Sequence, residues 1–213
     1  MSPDAPISGL IHDADTGDAE FMVEDPLFNA IWLWSTHALA EIAGRIGEDP
    51  SPFVASARRI HHALLERLWD GERFRPRDLR SGRLLEPRTI QGLAPLLDPD
   101  LPLEIVDALV AEMASPHFRG SSGLAVASSD MLAPTFERRR YWRGPVWANL
   151  NWLLARALAQ HARHEEAATL RRTTLGLVER AGMREYFDPV TGEGLGADDF
   201  SWTAAAVIDM LRA

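Results

Sequence analysis

Two segments near the end of the chain concentrate the residues that could do chemistry. The first, YWRGPVWANLNWLL, spans 141–154, and the second, REYFDPVTGEGLGADDFSWTAA, spans 184–205. Together they contain both tyrosines and four of the seven tryptophans of the protein. Flat aromatic faces, amide and guanidinium donors and a carboxylate are the groups needed to hold a sugar and to attack it with water. The two segments therefore predict part of a glycosidase active site.

Glu185 is the strongest catalytic candidate, because it follows Gly182, where a helix is predicted to end, and so lies at the mouth of a loop. The alternative for this residue is a plain surface glutamate. Gly192, Gly194 and Gly196 predict a tight loop that brings backbone close to a ligand. The residues predicted to contact a sugar are Trp142, Arg143, Trp147, Asn149, Tyr186, Phe200 and Trp202.

Composition excludes several other functions. The net charge of -9 and the pI near 5.2 argue against a nucleic-acid partner, which needs a basic face. The chain has no cysteine, and its seven histidines show no spacing that pairs them with carboxylate ligands, so we predict neither a metal nor a cofactor. No apolar run reaches the ~18 residues of a membrane span, and the acidic N-terminus lacks the features of a signal peptide. We therefore expect a cytoplasmic protein with no membrane partner.

The helical pattern alternates between two kinds of helix. Residues 1–22 are predicted to form an irregular arm, and 23–213 a single helical domain. The predicted helices are 26–46, 51–68, 87–97, 102–114, 144–161, 164–181 and 201–212. The first, third, fifth and seventh are apolar around most of their circumference, whereas the others carry one apolar stripe. Alternating inner and outer helices favour an α/α toroid over an up-and-down bundle.

Other segments complete this organisation. Residues 72–85, with Ser81-Gly82 at the centre, predict one small β-hairpin. The connections 115–142 and 182–200 are long for a compact helical domain, and loops of that length are often functional. Both connections lead into the two aromatic segments.

At these residues the chain resembles glycoside hydrolase family 63 and its trehalase-like relatives. The resemblance is greatest to the bacterial branch that includes mannosylglycerate and glucosylglycerate hydrolases. It is carried by YWRGPVWANLNWLL, by EYFDPVTGEGLGADDFSWTAA, by VEDPLFNAIW at 23–32 and by RTIQGLAPLL at 88–97. The similarity begins near residue 20 and implies the C-terminal part of an all-α (α/α)6 catalytic barrel.

The resemblance also implies a mechanism. In that family an inverting reaction uses two carboxylates, and Glu185 matches the general base. Trp142, Arg143, Trp147 and Trp202 match the aromatic residues and the arginine of the sugar pocket. The family's general acid is an aspartate upstream of the V-x-D-P-x-F-N segment, and no acidic residue at the N-terminus of this chain has the expected flanking residues. We therefore expect the acid to be absent from this chain.

Two functional classes follow. In the first, the chain is the C-terminal part of an inverting α-glycoside hydrolase for a small α-glucoside or α-mannoside, and alone it is inactive or weakly active. In the second, it is a non-catalytic helical module that binds carbohydrate or protein. With four inner helices where a closed toroid needs six, the first and last inner helices should expose Trp32, Trp34, Val207 and Leu211. This predicts self-association or pairing with a missing N-terminal half.

Overall fold

The computed structural model describes residues 22–120 and 122–212 of the chain. Within them it contains six α-helices, one 3-10 helix and four short strands. The α-helices are α1 (Pro26–Arg45), α2 (Ser51–Leu68), α3 (Leu103–Ala114), α4 (Ala148–Gln160), α5 (His164–Ala181) and α6 (Ser201–Met210), and the 3-10 helix is Ile90–Leu97. The strands are β1 (Val23–Glu24), β2 (Arg77–Asp78), β3 (Tyr186–Phe187) and β4 (Gly194–Leu195). All seven predicted helices are therefore confirmed.

The helices are arranged in an inner row and an outer row. In the inner row, α1 packs on the 3-10 helix, the 3-10 helix packs on α4, and α4 packs on α6. In the outer row, α2 packs on α1, α3 on the 3-10 helix, and α5 on α4. This is part of an (α/α)6 toroid, as the alternating pattern predicted. Among the described residues, no helix is long and apolar enough to cross a membrane.

The VEDPLFN segment starts the first inner helix. The side chain of Asp25 accepts a hydrogen bond from the backbone N–H of Phe28 at 3.0 Å, and so caps α1. Pro26 occupies the first turn, where its missing N–H leaves no helical partner unpaired. The Asn29 side chain donates back to the carbonyl of Asp25 at 2.8 Å. The sequence pattern therefore has a local structural role at the entrance of α1.

Apolar side chains are exposed on the first and last inner helices, whereas the 3-10 helix between them is buried almost throughout. The prediction was right about the two helices and about Leu211, which is 70% exposed. It was wrong about Val207, which is buried, and Trp32 and Trp34 are half-buried against the core. The exposed apolar residues of the two helices and their ends are Phe28, Ile31, Leu39, Ile42, Ile46, Trp202, Ile208 and Leu211.

Two small sheets complete the described structure. In the predicted hairpin region, Arg77 bridges to Leu84, while β2 pairs antiparallel with β1. A second hairpin, which the sequence did not predict, joins β3 to β4 with Tyr186 opposite Leu195. This second hairpin carries the residues next to Glu185. The predicted irregular arm lies outside the described residues except for Met22, whose carbonyl accepts from the backbone of Leu79.

Candidate functional site

The two aromatic segments meet through their backbones. Val146 and Phe187 exchange two backbone hydrogen bonds of 2.8 and 2.9 Å, and the backbone N–H of Ser128 donates to the carbonyl of Pro145. The two long connections, which the sequence marked only as functional candidates, therefore converge in the structure. Val146 pairs with Ala127 on one side and with Phe187 on the other, so three peptide segments lie side by side. This places the end of the connection 115–142 beside the β3–β4 hairpin.

Side chains add a second link between the same loops. Arg139 forms an ion pair with both carboxylate oxygens of Glu193, and Arg138 lies 3.5 Å from the buried carboxylate of Asp188. The hydrogen bond from Arg139 lowers the pKa of Glu193 below its ordinary value. The hydroxyl of Ser122 also donates to the carbonyl of Pro189 at 2.9 Å. These contacts hold the two loops together where they face solvent.

Glu185 lies on the loop that follows α5 and is held by the opposite arm of the hairpin. Gly182 ends the helix with a φ of +83°, a conformation that favours glycine. The backbone N–H of Glu185 donates to the carbonyl of Ala197 at 3.0 Å, and the N–H of Ala197 donates to Oε2 of Glu185 at 3.1 Å. Within the described residues, Oε1 receives no hydrogen bond, so it can accept one from water.

The glycine run is the reason that the opposite arm approaches so closely. Gly192 and Gly196 have φ values of +74° and +71°. A Cβ on Gly196 would lie 2.5 Å from Oε2 and 2.7 Å from Cβ of Glu185. The sequence predicted a close approach of backbone to a ligand at these glycines. In the structure Gly196 approaches the candidate catalytic carboxylate itself, whereas Gly192 lies against Arg180 and Leu177.

The base of the loop is fixed by contacts to the start of α6. Thr203 donates its hydroxyl to the carbonyl of Arg184 at 2.7 Å, and the N–H of Phe200 donates to the carbonyl of Met183 at 2.8 Å. The Arg184 guanidinium pairs with Asp198 and also donates to the carbonyl of Gly196. Glu185 therefore lies in a loop that is hydrogen-bonded on both sides of it.

Four aromatic rings form a cluster next to Glu185. Trp142 stacks flat on Trp147, with ring centroids 3.9 Å apart and an interplanar angle of 4°. Trp147 also packs against Tyr141 and Tyr186, each with centroids 5.2 Å away. Trp147 is 1% exposed, whereas Trp142 is 40% exposed. The cluster therefore presents Trp142 and Tyr141 to solvent, with Trp147 buried beneath them.

The entrance to α4 is shaped by close packing in the Trp-Arg-Gly-Pro turn. A Cβ on Gly144 would lie 2.7 Å from the carbonyl oxygen of Glu137, so a larger residue there would displace the turn. The guanidinium of Arg143 pairs with the Glu137 carboxylate at 3.1 Å. Tyr141 has a φ of +40°, which is uncommon for a residue with a side chain. Strained backbone of this kind is concentrated at functional sites.

The two asparagines on the first turn of α4 have different surroundings. Asn151 is fully buried and bonds both backbone groups of Val126, accepting at 2.8 Å and donating at 3.0 Å. Its role is thus to anchor the loop before the aromatic segment. Asn149 is half-buried, and its side chain makes no hydrogen bond to any residue in 22–120 or 122–212. Of the two, Asn149 has donors and an acceptor available for a ligand.

The structure brings some predicted site residues together and leaves others apart. Glu185, Tyr186, Trp142 and Trp147 belong to one neighbourhood, linked by ring contacts and by the β3–β4 hairpin. Phe200 and Trp202 contact each other with centroids 5.6 Å apart, but among the described residues neither makes a ring contact with the four-ring cluster. That these residues bind sugar stays a prediction.

Sequence reasoning missed two parts of this neighbourhood. The backbone N–H of Ala197 holds the candidate carboxylate, and no side-chain pattern could have indicated it. Tyr141 belongs to the aromatic cluster, and its position directly before Trp142 was the available signal. The first depends on how the hairpin folds back on itself, and the second depends on how the two loops pack.

Comparison with known proteins gives a consistent result. The family model of the mannosylglycerate hydrolase MGH1-like glycoside hydrolase domain matches residues 9–203. Mannosylglycerate hydrolase of Rubrobacter radiotolerans is 39% identical over 198 residues, which cover 91% of this chain and 45% of that protein. Glucosylglycerate hydrolase of Mycolicibacterium hassiacum is 35% identical and is matched over 90% of this chain and 44% of its own length.

A solved structure shows the same relation in three dimensions. The crystal structure of GH63 mannosylglycerate hydrolase from Thermus thermophilus in complex with glucose matches with a TM-score of 0.84 and 33% identity. The match covers 96% of this chain and 52% of that one. The chain thus spans about half the length of the relatives it matches.

Proposed function

The chain belongs to the family of mannosylglycerate hydrolase MGH1-like glycoside hydrolases, and we propose that it forms the C-terminal part of an inverting α-glycosidase. In this proposal its substrate is a small α-glucoside or α-mannoside, such as glucosylglycerate or mannosylglycerate. Glu185 is the general base, and the aromatic cluster with Arg143 and Asn149 forms one wall of the sugar pocket. The observation that carries the proposal is the position of Glu185, held by the Ala197 backbone and next in the chain to Tyr186 of the aromatic cluster.

The surroundings of Glu185 suit a general base. One carboxylate oxygen is oriented by the Ala197 N–H, and the other has free lone pairs toward which a water can be aligned. Two loops tied by backbone bonds restrict its movement, so little reorganisation is needed when the water is activated. A surface glutamate on a mobile loop would have neither property.

The aromatic cluster supplies the other requirement, a platform for a sugar ring. The apolar face of a pyranose packs against an aromatic plane, and Trp142 presents such a plane that is stiffened by stacking on Trp147. Arg143 and Asn149 provide hydrogen-bond donors at the entrance of the same helix. Phe200 and Trp202, at the start of α6, are proposed to contact the sugar as well.

An inverting reaction also needs a general acid. Acid and base carboxyl groups in such sites are ~6.5–9.5 Å apart, which leaves room for the attacking water. We assign this acid to no residue of this chain and propose that it comes from the half of the catalytic domain that the relatives have in addition. The names of the relatives, which act on mannosylglycerate and glucosylglycerate, support a small negatively charged glycoside as the substrate.

Hydrolysis by a reconstituted domain tests this function. The chain is assayed alone and with a complementing N-terminal half taken from the Rubrobacter relative, with mannosylglycerate and glucosylglycerate as substrates. Proton NMR during the first turnovers identifies the anomer that is released. We expect the inverted anomer, and we expect hydrolysis only with the complementing half.

Two isosteric Glu→Gln variants test whether Glu185 is the general base. Glu185→Gln should lower the rate by ~10²–10⁴-fold, because the amide cannot take the proton of water, while sugar affinity stays nearly unchanged. Glu179→Gln is the matched control, since Glu179 is an exposed residue on the preceding helix. If Glu185→Gln keeps more than a tenth of the rate, Glu185 is not the base. Sugar binding without hydrolysis in every combination would support the non-catalytic binding module instead.

A further inference from the structure

A group of metal-ligating side chains lies outside the loops that carry the sugar-site candidates. His37 on α1, and Asp98 and Asp100 in the turn after the 3-10 helix, place their ligand atoms within 4.8 Å of one another. We propose that these three side chains bind a divalent transition-metal ion of the zinc type. The proposal is independent of the proposed glycosidase function.

The separation of the ligand atoms is close to what a bound ion requires. Zinc bonds to imidazole nitrogen and carboxylate oxygen at about 2.0–2.2 Å, so that ligand atoms around one ion lie roughly 3–4 Å apart. From a separation of up to 4.8 Å, the ligand atoms therefore need to approach one another by up to about 1–2 Å. Asp100 is exposed and can make this adjustment by rotation of its side chain.

Asp98 is already oriented for such a role. It is fully buried, and its Oδ2 accepts a 2.6 Å hydrogen bond from Nδ1 of His61 on α2. Its Oδ1 accepts from the backbone N–H of Asp100 at 3.0 Å. Each oxygen keeps a lone pair for a metal. Metal-ligating carboxylates are commonly held by an outer hydrogen bond of this kind, which fixes their direction.

The charge of the surroundings favours a cation. Within the described residues, His61 is the one basic side chain that lies within ion-pair distance of Asp98. A buried carboxylate requires compensation by a partner or a metal. With Asp100 beside it and a net charge of -9 on the chain, a divalent ion would neutralise two carboxylates at one point.

The donor set indicates the class of ion. Calcium and magnesium are held by oxygen ligands, whereas an imidazole nitrogen suits zinc, nickel, copper and iron. Three protein ligands leave at least one position for water, and exposed Asp100 provides the path by which an ion enters. A bound ion would join the inner helix α1 to the turn after the 3-10 helix, and His61 would connect α2 to the same point.

Binding to the native state alone must raise thermal stability. The full chain is treated with a chelator, dialysed and titrated with zinc chloride by isothermal calorimetry, and its Tm is measured with and without the ion. We expect one zinc per chain and a rise in Tm. His37→Ala and Asp100→Asn should each weaken zinc binding at least tenfold and abolish most of the rise.

Two controls make the result decisive. Asp100 is exposed, so Asp100→Asn should keep the circular dichroism of the parent, which separates loss of a ligand from loss of the fold. His164→Ala removes an exposed imidazole from α5 and should leave zinc affinity unchanged. The proposal is overturned if the parent shows no saturable binding, if both cluster variants bind as the parent does, or if His164→Ala weakens binding equally.

Discussion

Substitution of Gly196 by alanine tests whether the hairpin arm really presses against Glu185. A Cβ at this position would lie 2.7 Å from Cβ of Glu185 and 2.8 Å from the ring of Tyr186, in addition to its approach to the carboxylate. The carboxylate is the end of a flexible side chain and can move. The Cβ of Glu185 is attached to the backbone, so it can move only if the loop moves.

Two separable effects determine how much Gly196→Ala destabilises the protein. A left-handed conformation disfavours any residue with a Cβ by about 1–2 kcal/mol, and forcing extra atoms into a packed site adds about 1–3 kcal/mol. We therefore expect Gly196→Ala to lower the free energy of unfolding by about 2–5 kcal/mol in total. Because the loop that carries Glu185 must move to make room for the added Cβ, sugar affinity and any hydrolysis by the reconstituted domain should fall as well.

Gly47→Ala is the matched control. Gly47 has a φ of +81°, yet nothing lies within 4 Å of the position that its Cβ would take. It should therefore show the conformational effect alone, about 1–2 kcal/mol. Urea unfolding followed by tryptophan fluorescence measures both variants. If the two substitutions destabilise the protein equally, the close approach of Gly196 to Glu185 does not exist in solution, and the proposed support of the base is wrong.

Three further predictions concern the pocket, the core and the surface. Trp142→Ala and Arg143→Ala should each weaken carbohydrate binding by ~1–3 kcal/mol, and unchanged affinity for every α-glucoside and α-mannoside that the parent binds would make both residues structural. Burial raises the pKa of Glu112 despite nearby Arg88. The fold therefore favours the protonated carboxyl, and the stability that this group contributes at low pH is lost as the pH rises through its folded-state pKa. Glu112→Gln should therefore lose less stability than the parent as the pH rises. If the Tm of the variant falls as steeply as that of the parent from about pH 4 to 7, this prediction is wrong. Exposed apolar residues on α1 and α6 predict self-association, and sedimentation at micromolar concentration that shows a stable 23.7 kDa monomer would refute this.

The helices could be predicted because their signals are local. Apolar residues repeat with the period of a helix, and the alternation between all-round and one-sided burial indicated which helices are inner. The boundaries agree within a few residues, with the largest difference at α4, which begins at Ala148 instead of 144. In the turn before it, Gly144 packs against the backbone of Glu137 and the ring of Phe136, and a helical pattern does not show such packing.

Pairing between distant segments could not be predicted in the same way. The hairpin region was recognised from Ser81-Gly82, but the strand partner of Arg77 lies at Glu24, more than fifty residues earlier. Similarly, Val207 was expected at an open flank, yet it is buried because α6 turns that side toward the core. A helical pattern shows that a face is apolar, whereas the neighbouring elements decide which part of it is covered.

By itself, the sequence determined the order and type of the helices, the family, and Glu185 as the leading catalytic candidate. Each of these depends on residues that are close together in the chain. Only the tertiary structure decided that Ala197 holds Glu185, that Trp147 is buried beneath Trp142, and that His37 meets Asp98 and Asp100. Ala197 reaches Glu185 only because the hairpin folds back, Trp147 is also covered by Tyr186 of the other segment, and His37 belongs to α1 whereas the two aspartates follow the 3-10 helix. Side-chain type and spacing carry no information about which segments will pack together in this way.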